Sequence, residues 1–290
     1  MTNILLTGAS GFLGAAVAED LRKDYEIVAL GRSPLSLPAV RNIAADLSKP
    51  LDTALLPRKI DAVLHLAQSR LYRDPSTGAA DMLFVNVCVT ANLLQWARDA
   101  GAKSFVYAST GSVYGQGYGV GSETDPIVPS TDLYTATKYA GESLTLAGSS
   151  PFAASALRFF TLYGPGQTQK LIAGIIERVM AGAPIQIEGE RGFETQPTFI
   201  ADAVAVVRAA LEQRWTGIVN VAGPETVGIR HIAEVVSKRL GKEPIFEKKV
   251  SLPTCIKQPS MARLRLLMPG HEFVTLEDGI ERTLSGLTRP

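Results

Sequence analysis

The sequence predicts an α/β fold, a doubly wound parallel sheet followed by a smaller C-terminal substrate-binding cap. Three observations carry that prediction. In the first half, short β-branched runs alternate with longer amphipathic stretches, as strands alternate with crossover helices in a parallel sheet. A glycine loop, Thr7-Gly8-Ala9-Ser10-Gly11-Phe12-Leu13-Gly14, follows the first strand and opens the first helix. The pattern then changes at Tyr163-Gly164-Pro165-Gly166.

Strands are expected over 4–7, 26–30, 62–66, 104–108 and 154–158, with helical patterns between them over 11–23, 80–100 and 133–147. The Gly-, Ser- and Pro-rich run 111–129 reads as a loop. Beyond residue 163 a helix over 171–180 leads to a short strand over 185–187 and a polar loop over 188–196. A helix over 201–211 and a strand over 218–221 return to the main sheet, and helices over 230–240 and 276–284 belong to the cap. The expected division is therefore a dinucleotide-binding domain over 1–162 and a cap over 163–290, with about 197–222 rejoining the sheet. No internal repeat interrupts this plan.

With 290 residues, 46% hydrophobic and 20% charged, the chain fits one large α/β unit or two closely joined ones. A net charge of +1 gives no attraction for nucleic acid or an anionic membrane surface, so neither is an expected partner. The longest apolar runs have strand length, which predicts no transmembrane helix. The first strand begins almost at the initiator, so no signal peptide is expected and a cytoplasmic location is. Cys88 and Cys255 lie far apart in apolar settings and read as buried free thiols. His65, His231 and His271 are scattered without metal-ligand spacing, and no metal is expected.

The glycine loop points to a dinucleotide. Gly8, Gly11 and Gly14 let the backbone approach a pyrophosphate, and the N–H groups of the opening turn, with Ser10, Phe12 and Leu13, face it. The end of the second strand discriminates between dinucleotides: a carboxylate would bind the ribose 2′-hydroxyl of NAD, an arginine the 2′-phosphate of NADP. Leu30-Gly31-Arg32-Ser33 has no carboxylate, so Arg32 favours NADP over NAD. Asp46 and Leu47, after the third strand, are placed beside the adenine, and Leu66 and Ala67, after the fourth, under the nicotinamide half.

Tyr134 and Lys138 stand one helical turn apart and share a helix face. Lowering a phenol from its usual pKa of about 10 to about 7 takes about 4 kcal/mol. An ammonium ~5 Å away at an effective dielectric of ~20 supplies about 3 kcal/mol. An oxidised nicotinamide beside the ring would supply the rest. Tyr134 is thus the expected proton shuttle of an alcohol–ketone reaction.

The chain resembles the extended short-chain dehydrogenase/reductases, the NAD(P)-dependent epimerase/dehydratase family of sugar-nucleotide enzymes. The likeness covers nearly the whole length. It rests on the Gly8/Gly11/Gly14 spacing, Val63-Leu64-His65-Leu66-Ala67, Asn86 in Asn86-Val87-Cys88-Val89-Thr90, and the run Phe105-Val106-Tyr107-Ala108-Ser109-Thr110-Gly111-Ser112-Val113-Tyr114-Gly115. The Tyr134/Lys138 pair, Leu157-Arg158-Phe159-Phe160-Thr161-Leu162-Tyr163-Gly164-Pro165-Gly166 and Leu276-Glu277-Asp278-Gly279 complete it. The resemblance implies a Rossmann sheet and a proton relay of Thr110, Tyr134 and Lys138. Lys138 would also bind the nicotinamide ribose, and Asn86 would belong to the cofactor site.

Departures from the family pattern narrow the reaction. The acid and base that family dehydratases carry after the threonine are replaced by Gly111 and Ser112, so dehydration is not expected. An arginine that grips a nucleoside diphosphate in the family is Thr195 here, which leaves Arg191 and Lys248 as the basic residues near the phosphate positions. The sugar itself is expected between the strand ends and the cap, beside Thr110, Tyr134, Gly111, Ser112, Thr161 and Gln167. Three readings stay open: an NAD(P)-dependent sugar epimerase, an NADPH-dependent ketoreductase of a keto-sugar nucleotide or related small carbonyl, and a non-catalytic dinucleotide-sensing protein. The helical patterns over 80–100 and 133–147 carry Phe84, Leu93, Leu94, Trp96, Leu144 and Leu146, more apolar surface than one buried face requires. The resemblance implies that they pair across a two-fold axis, making a homodimer.

Overall fold

The computed structural model describes residues 2–115, 119–127, 132–249 and 258–287. Strands β1 (Asn3–Thr7), β2 (Glu26–Gly31), β3 (Val40–Ala44), β4 (Ala62–His65), β5 (Ser104–Thr110), β6 (Ala153–Phe159) and β7 (Gly217–Val221) form one seven-stranded sheet, in the order β7-β6-β5-β4-β1-β2-β3. The pairings β1–β2, β1–β4, β2–β3 and β4–β5 are parallel. Ile4, Leu5, Leu6, Val63, Leu64, Phe105 and Val106 are fully buried, as the apolar strands of a sheet covered on both faces must be. The strand order reverses between β1 and β4, so Thr7, Gly8, Leu66 and Ala67 meet at the carboxyl ends where such sheets bind ligands.

The helices are α1 (Phe12–Leu21), α2 (Pro75–Leu83), α3 (Val89–Asp99), α4 (Leu133–Ala147), α5 (Leu171–Ala181), α6 (Ile200–Glu212), α7 (Ile229–Leu240), α8 (Ala262–Leu267) and α9 (Leu276–Leu287). Helix α4 begins where Asp132 caps it, its carboxylate accepting from the N–H groups of Tyr134 at 3.2 Å and Thr135 at 3.0 Å. The single helix expected over 80–100 starts earlier, at an Asp74 cap, and a π-helical turn, Phe84–Cys88, joins α2 to α3. A π turn holds one residue more than the 3.6-residue period allows, so periodicity could not show it.

The chain forms two compact units. The first comprises Met1–Val113, Ile127–Arg158 and Val204–Val219; the second comprises Tyr114–Pro126, Phe159–Ala203 and Asn220–Pro290. The first has a core of sheet and helix side chains that includes Leu5, Val63, Val85, Leu93, Trp96 and Phe105. The second has its own core around Tyr163, Ile172, Ile176, Phe199, Ile232 and Ile280. In the second unit, Phe246–Lys249 runs parallel to Ile185–Glu188, and Glu194–Thr195 pairs antiparallel with Val227–Gly228. The polar loop expected over 188–196 thus contains a short strand. The loop expected over 111–129 contains a 3-10 turn, Gly111–Tyr114, and Val120–Gly121, which pairs with Gln258–Pro259. Parts of that loop, 116–118 and 128–129, lie outside the described residues, as does Cys255.

The continuous helical run Ser76–Asp99 is long and apolar enough, by length and composition, to cross a membrane. Its inward side chains Val85, Val89, Leu93, Leu94, Trp96 and Ala97 are packed into the core of the first unit, which accounts for its composition. Leu93, Leu94 and Trp96 are buried in that core, Leu144 and Leu146 are half-buried against it, and Phe84 is half-buried. Cys88 is half-buried rather than buried, because Val85 and Asn86 take the inward positions of the π turn and Val89 that of the helix start after it.

Candidate active site

At the head of the first unit, Gly8 has a φ of 73° and lies against the β4 end, where a Cβ would stand 2.7 Å from the Ala67 nitrogen. A Cβ on Gly14 would stand 2.0 Å from the Gly8 carbonyl oxygen. Both positions therefore require glycine. Gly11 is the N-cap of α1 and supplies no side-chain cap, so no side chain competes for the N–H groups of the first turn. With Ser10 and Gly11 exposed and Phe12 and Leu13 half-buried, this turn fits an anionic pyrophosphate.

Along the expected dinucleotide groove, Gly31 ends β2 with nothing within 4 Å of an added Cβ, and Arg32 beside it is exposed. Asp46 is half-buried and accepts from the Ser48 hydroxyl at 2.8 Å and its N–H at 3.2 Å. Those bonds, with the charges of Arg32 and Lys49, hold its carboxyl below the ordinary value. Leu47 and Ala67 are buried and Leu66 is half-buried.

A buried chain of hydrogen bonds supports this end of the sheet. Thr90 Oγ1 donates to the Asn86 carbonyl at 2.8 Å, so it accepts from His65 Nε2 at 3.0 Å. His65 Nδ1 therefore accepts from the Thr7 hydroxyl at 2.6 Å, and Thr7 Oγ1 in turn accepts from the Ala67 N–H at 3.1 Å. Burial and the nearby Lys138 charge depress the imidazole to about 3, which keeps His65 neutral in this assignment. Asn86 donates from Nδ2 to Thr137 Oγ1 at 3.1 Å, while its Oδ1 is buried without a hydrogen-bond partner among the described residues. A donor from outside the chain would satisfy this acceptor.

Thr110 ends β5, 6% exposed, and accepts from the Ser112 N–H at 3.2 Å. Ser112 and Gly111 form the turn that follows it. The Tyr134 hydroxyl donates to Gln68 Oε1 at 3.3 Å, and a hydrogen bond with Thr110 favours its ionised form. The Tyr72 ring lies 5.3 Å from the Tyr134 ring, tilted by 52°. Lys138 is 2% exposed, its Nζ 4.3 Å from the centre of the Tyr107 ring.

The phenol is not activated in the protein alone. Burial pushes Tyr134 up to about 12, and the Lys138 ammonium lies over the Tyr107 ring. Lys138 itself is lowered by burial to about 7, against an opposing pull from Glu142. The sequence-based expectation joined this lysine to an oxidised nicotinamide, and in the protein without a dinucleotide the phenol stays protonated at neutral pH. Desolvation outweighs a cation that is itself half lost at neutral pH.

In the second unit, Thr161 Oγ1 lies 2.6 Å from Thr195 Oγ1. Gln167 donates from Nε2 to the Leu162 carbonyl at 2.8 Å and leaves Oε1 buried without a partner among the described residues. The Arg191 side chain is 82% exposed and ion-paired with Glu194 at 3.4 Å, and Lys248 is exposed on the Phe246–Lys249 strand. Among the described residues no group of three or more His, Cys, Asp and Glu is placed to hold a metal.

The family model of the NAD dependent epimerase/dehydratase family matches residues 4–222. The chain belongs to that family. It is 27% identical to an uncharacterized UDP-glucose epimerase, YtcB, of Bacillus subtilis (strain 168), over 98% of each chain. Among solved structures it resembles MoeE5 in complex with UDP-glucuronic acid and NAD, with a TM-score of 0.87, 27% identity and 98% of each chain covered. It also resembles the UDP-glucuronic acid 4-epimerase from Bacillus cereus in complex with UDP-glucuronic acid and NAD, with a TM-score of 0.86 and 26% identity, over 99% of each chain.

Sequence reasoning missed Gln68 and Tyr72, which touch Tyr134, and Tyr107, which holds the Lys138 ammonium. It also missed Glu142 and Arg158, a fully buried ion pair. Glu142 was detectable in principle, because it continues the 134–138 spacing by one more turn.

Proposed function

We propose that this protein is an NAD(P)-dependent epimerase acting at a sugar carbon of a nucleotide-activated sugar. The observation that carries the reading is the grouping, in one unit, of Thr110, Tyr134 and Lys138 with the glycine loop and the unpartnered Asn86 Oδ1. UDP-sugars in complexes of the similar structures support the substrate class. A bound dinucleotide would supply a hydride acceptor and donor and, when oxidised, a positive charge. Gly8, Gly11, Gly14, Ser10, Phe12 and Leu13 would hold its pyrophosphate, with Arg32, Asp46 and Leu47 at the adenosine end. Leu66, Ala67, Asn86 and Lys138 would line the nicotinamide half.

The protein's own part is proton handling. The substrate hydroxyl bonds to Thr110 Oγ1 and Tyr134 Oη, and Tyr134 takes its proton as the carbon–oxygen bond becomes a carbonyl. Returning the proton from Tyr134 after the ketone has presented its other face completes the inversion. Gly111 and Ser112 would border the sugar, with Thr161 and Gln167 as further polar contacts and Arg191 or Lys248 for a diphosphate. Neither Gly111 nor Ser112 offers a carboxyl for elimination, which speaks against dehydration.

A second reading is favoured by one observation. With its pKa near 12, Tyr134 is a neutral proton donor, the state that a ketoreductase needs. Incubation with UDP-glucuronic acid and UDP-glucose, with product stereochemistry followed by NMR, separates the two: net consumption of NADPH with a keto-sugar marks a reductase. Tyr134→Phe should lower turnover by several orders of magnitude and leave dinucleotide affinity nearly intact. A variant with most of its activity would remove Tyr134 from the mechanism.

A further inference from the structure

Helix α4 carries more than Tyr134 and Lys138 on its inner face. One turn beyond Lys138 stands Glu142, 1% exposed, whose carboxylate is held from two strands. Arg158 on β6 donates from Nε to Oε2 at 3.0 Å and from Nη2 to Oε1 at 2.5 Å. Ser109 on β5, the residue before Thr110, donates from Oγ to Oε2 at 2.6 Å. Replacing a buried ion pair with well-packed apolar side chains is commonly neutral or stabilising, so stability alone does not explain charges at this place. With Ser109, the pair instead joins β6 to the two elements that bear the relay, β5 with Thr110 and α4 with Tyr134 and Lys138.

We propose that Glu142 is a positioning residue for this site. Locked by Arg158 and Ser109, it sets α4 against β5 so that Tyr134 meets Thr110, and its negative charge favours the ammonium form of Lys138. The inference rests on the roles of Tyr134 and Lys138 given above. Electrostatics agree with the geometry, since burial drives Lys138 down and Glu142 is the charge that opposes it. Of the titratable groups beside Lys138, His65 is depressed to about 3 and the Tyr107 and Tyr134 phenols are raised by burial, so these three are neutral. Arg158 forks onto Glu142 with two charge-assisted hydrogen bonds, which fix the orientation of the carboxylate.

The test separates charge from geometry in the full-length protein. Glu142→Gln keeps the shape and removes the charge. In ligand-free protein, the Lys138 side-chain titration, followed by NMR and assigned by its loss in Lys138→Met, should move acid-ward by about one pH unit. The alkaline side of the turnover profile should move with it, so that turnover at pH 8 falls about tenfold while the KM for UDP-sugar stays within twofold. Ser109→Ala frees β5 from α4 without altering charge, and should lower turnover with the Lys138 titration unmoved. An unshifted titration in Glu142→Gln, or wild-type turnover in Ser109→Ala, overturns the proposal. Should Glu142→Gln fail to fold, Glu142→Asp decides. It should retain the titration and lose turnover, and wild-type turnover refutes the positioning role. Because the titration needs no substrate, a shifted Lys138 in a protein that turns over no nucleotide-sugar would sink the proposed function and leave the charge coupling standing.

Discussion

Gly141, midway along α4, is where the substitution of alanine for glycine should reverse its usual sign. In a helix interior that change gains about 1 kcal/mol of propensity. Here an added Cβ would stand 2.3 Å from the Asn86 carbonyl oxygen, 2.3 Å from the Tyr107 hydroxyl and 2.7 Å from Tyr107 Cζ. Ordinary contact begins near 3.4 Å, so α4 must retreat from the π turn by roughly 1 Å. Overpacking of that size costs about 3 kcal/mol. The Tyr107 hydroxyl bonds the carbonyls of Asn86 and Lys138, each at 3.4 Å, and losing this support costs about 1 kcal/mol more. Net destabilisation of about 3 kcal/mol follows. Gly174 on α5 is the control: nothing lies within 4 Å of its added Cβ, and Gly174→Ala should gain about 1 kcal/mol. Scanning calorimetry should show melting lowered by several degrees for Gly141→Ala and raised slightly for Gly174→Ala. If Gly141→Ala melts at or above the wild type, the close approach of α4 to the π turn is wrong.

Two further predictions concern charge. Arg32→Ala should weaken NADP binding and barely touch NAD in calorimetric titration, and tighter NAD than NADP binding by the wild type would show that Arg32 does not select the dinucleotide. Lys138→Met should abolish activity and raise stability near pH 7 by about 1–4 kcal/mol, because it removes a buried ammonium. The sign of its pH dependence follows from linkage. Lys138 falls from an ordinary 10.5 to about 7 on folding, so the unfolded chain holds the extra proton between those values. Wild-type stability therefore gains relative to Lys138→Met as pH rises from 7 towards 10.5. Urea titrations showing a constant gap between the two proteins across that window would refute the depressed lysine.

The sheet was legible because its strands are short apolar runs set off by turn residues. Residues 4–7, 62–65 and 104–108 are buried on both faces and read the same in the sequence as in space. Helix α4 was found with its bounds intact, since Asp132 caps it and Gly148 ends it. The strand Phe246–Lys249 was not, because Phe-Glu-Lys-Lys has one apolar residue and owes its place to pairing with Ile185–Glu188. In the candidate site, the spacing of Tyr134 and Lys138 could be read from the chain, but the direction of the lysine could not. Tyr107, twenty-seven residues before Tyr134, captures the ammonium through a contact that no local pattern encodes. The same holds for Glu142 and Arg158, whose pairing joins a helix to a strand.

The division into two units has a consequence for how the chain is made. The first unit draws on three separated stretches, the last of them Val204–Val219, and the second unit is threaded between them. During synthesis the Rossmann unit therefore waits for β7, its edge strand, until more than two-thirds of the chain has been assembled, with the free edge of β6 unpaired meanwhile. Its closing contacts span long stretches of sequence and are slow to form. Neither unit can be excised as one continuous segment, so a cut near residue 162 would leave the sheet one strand short rather than release a finished domain.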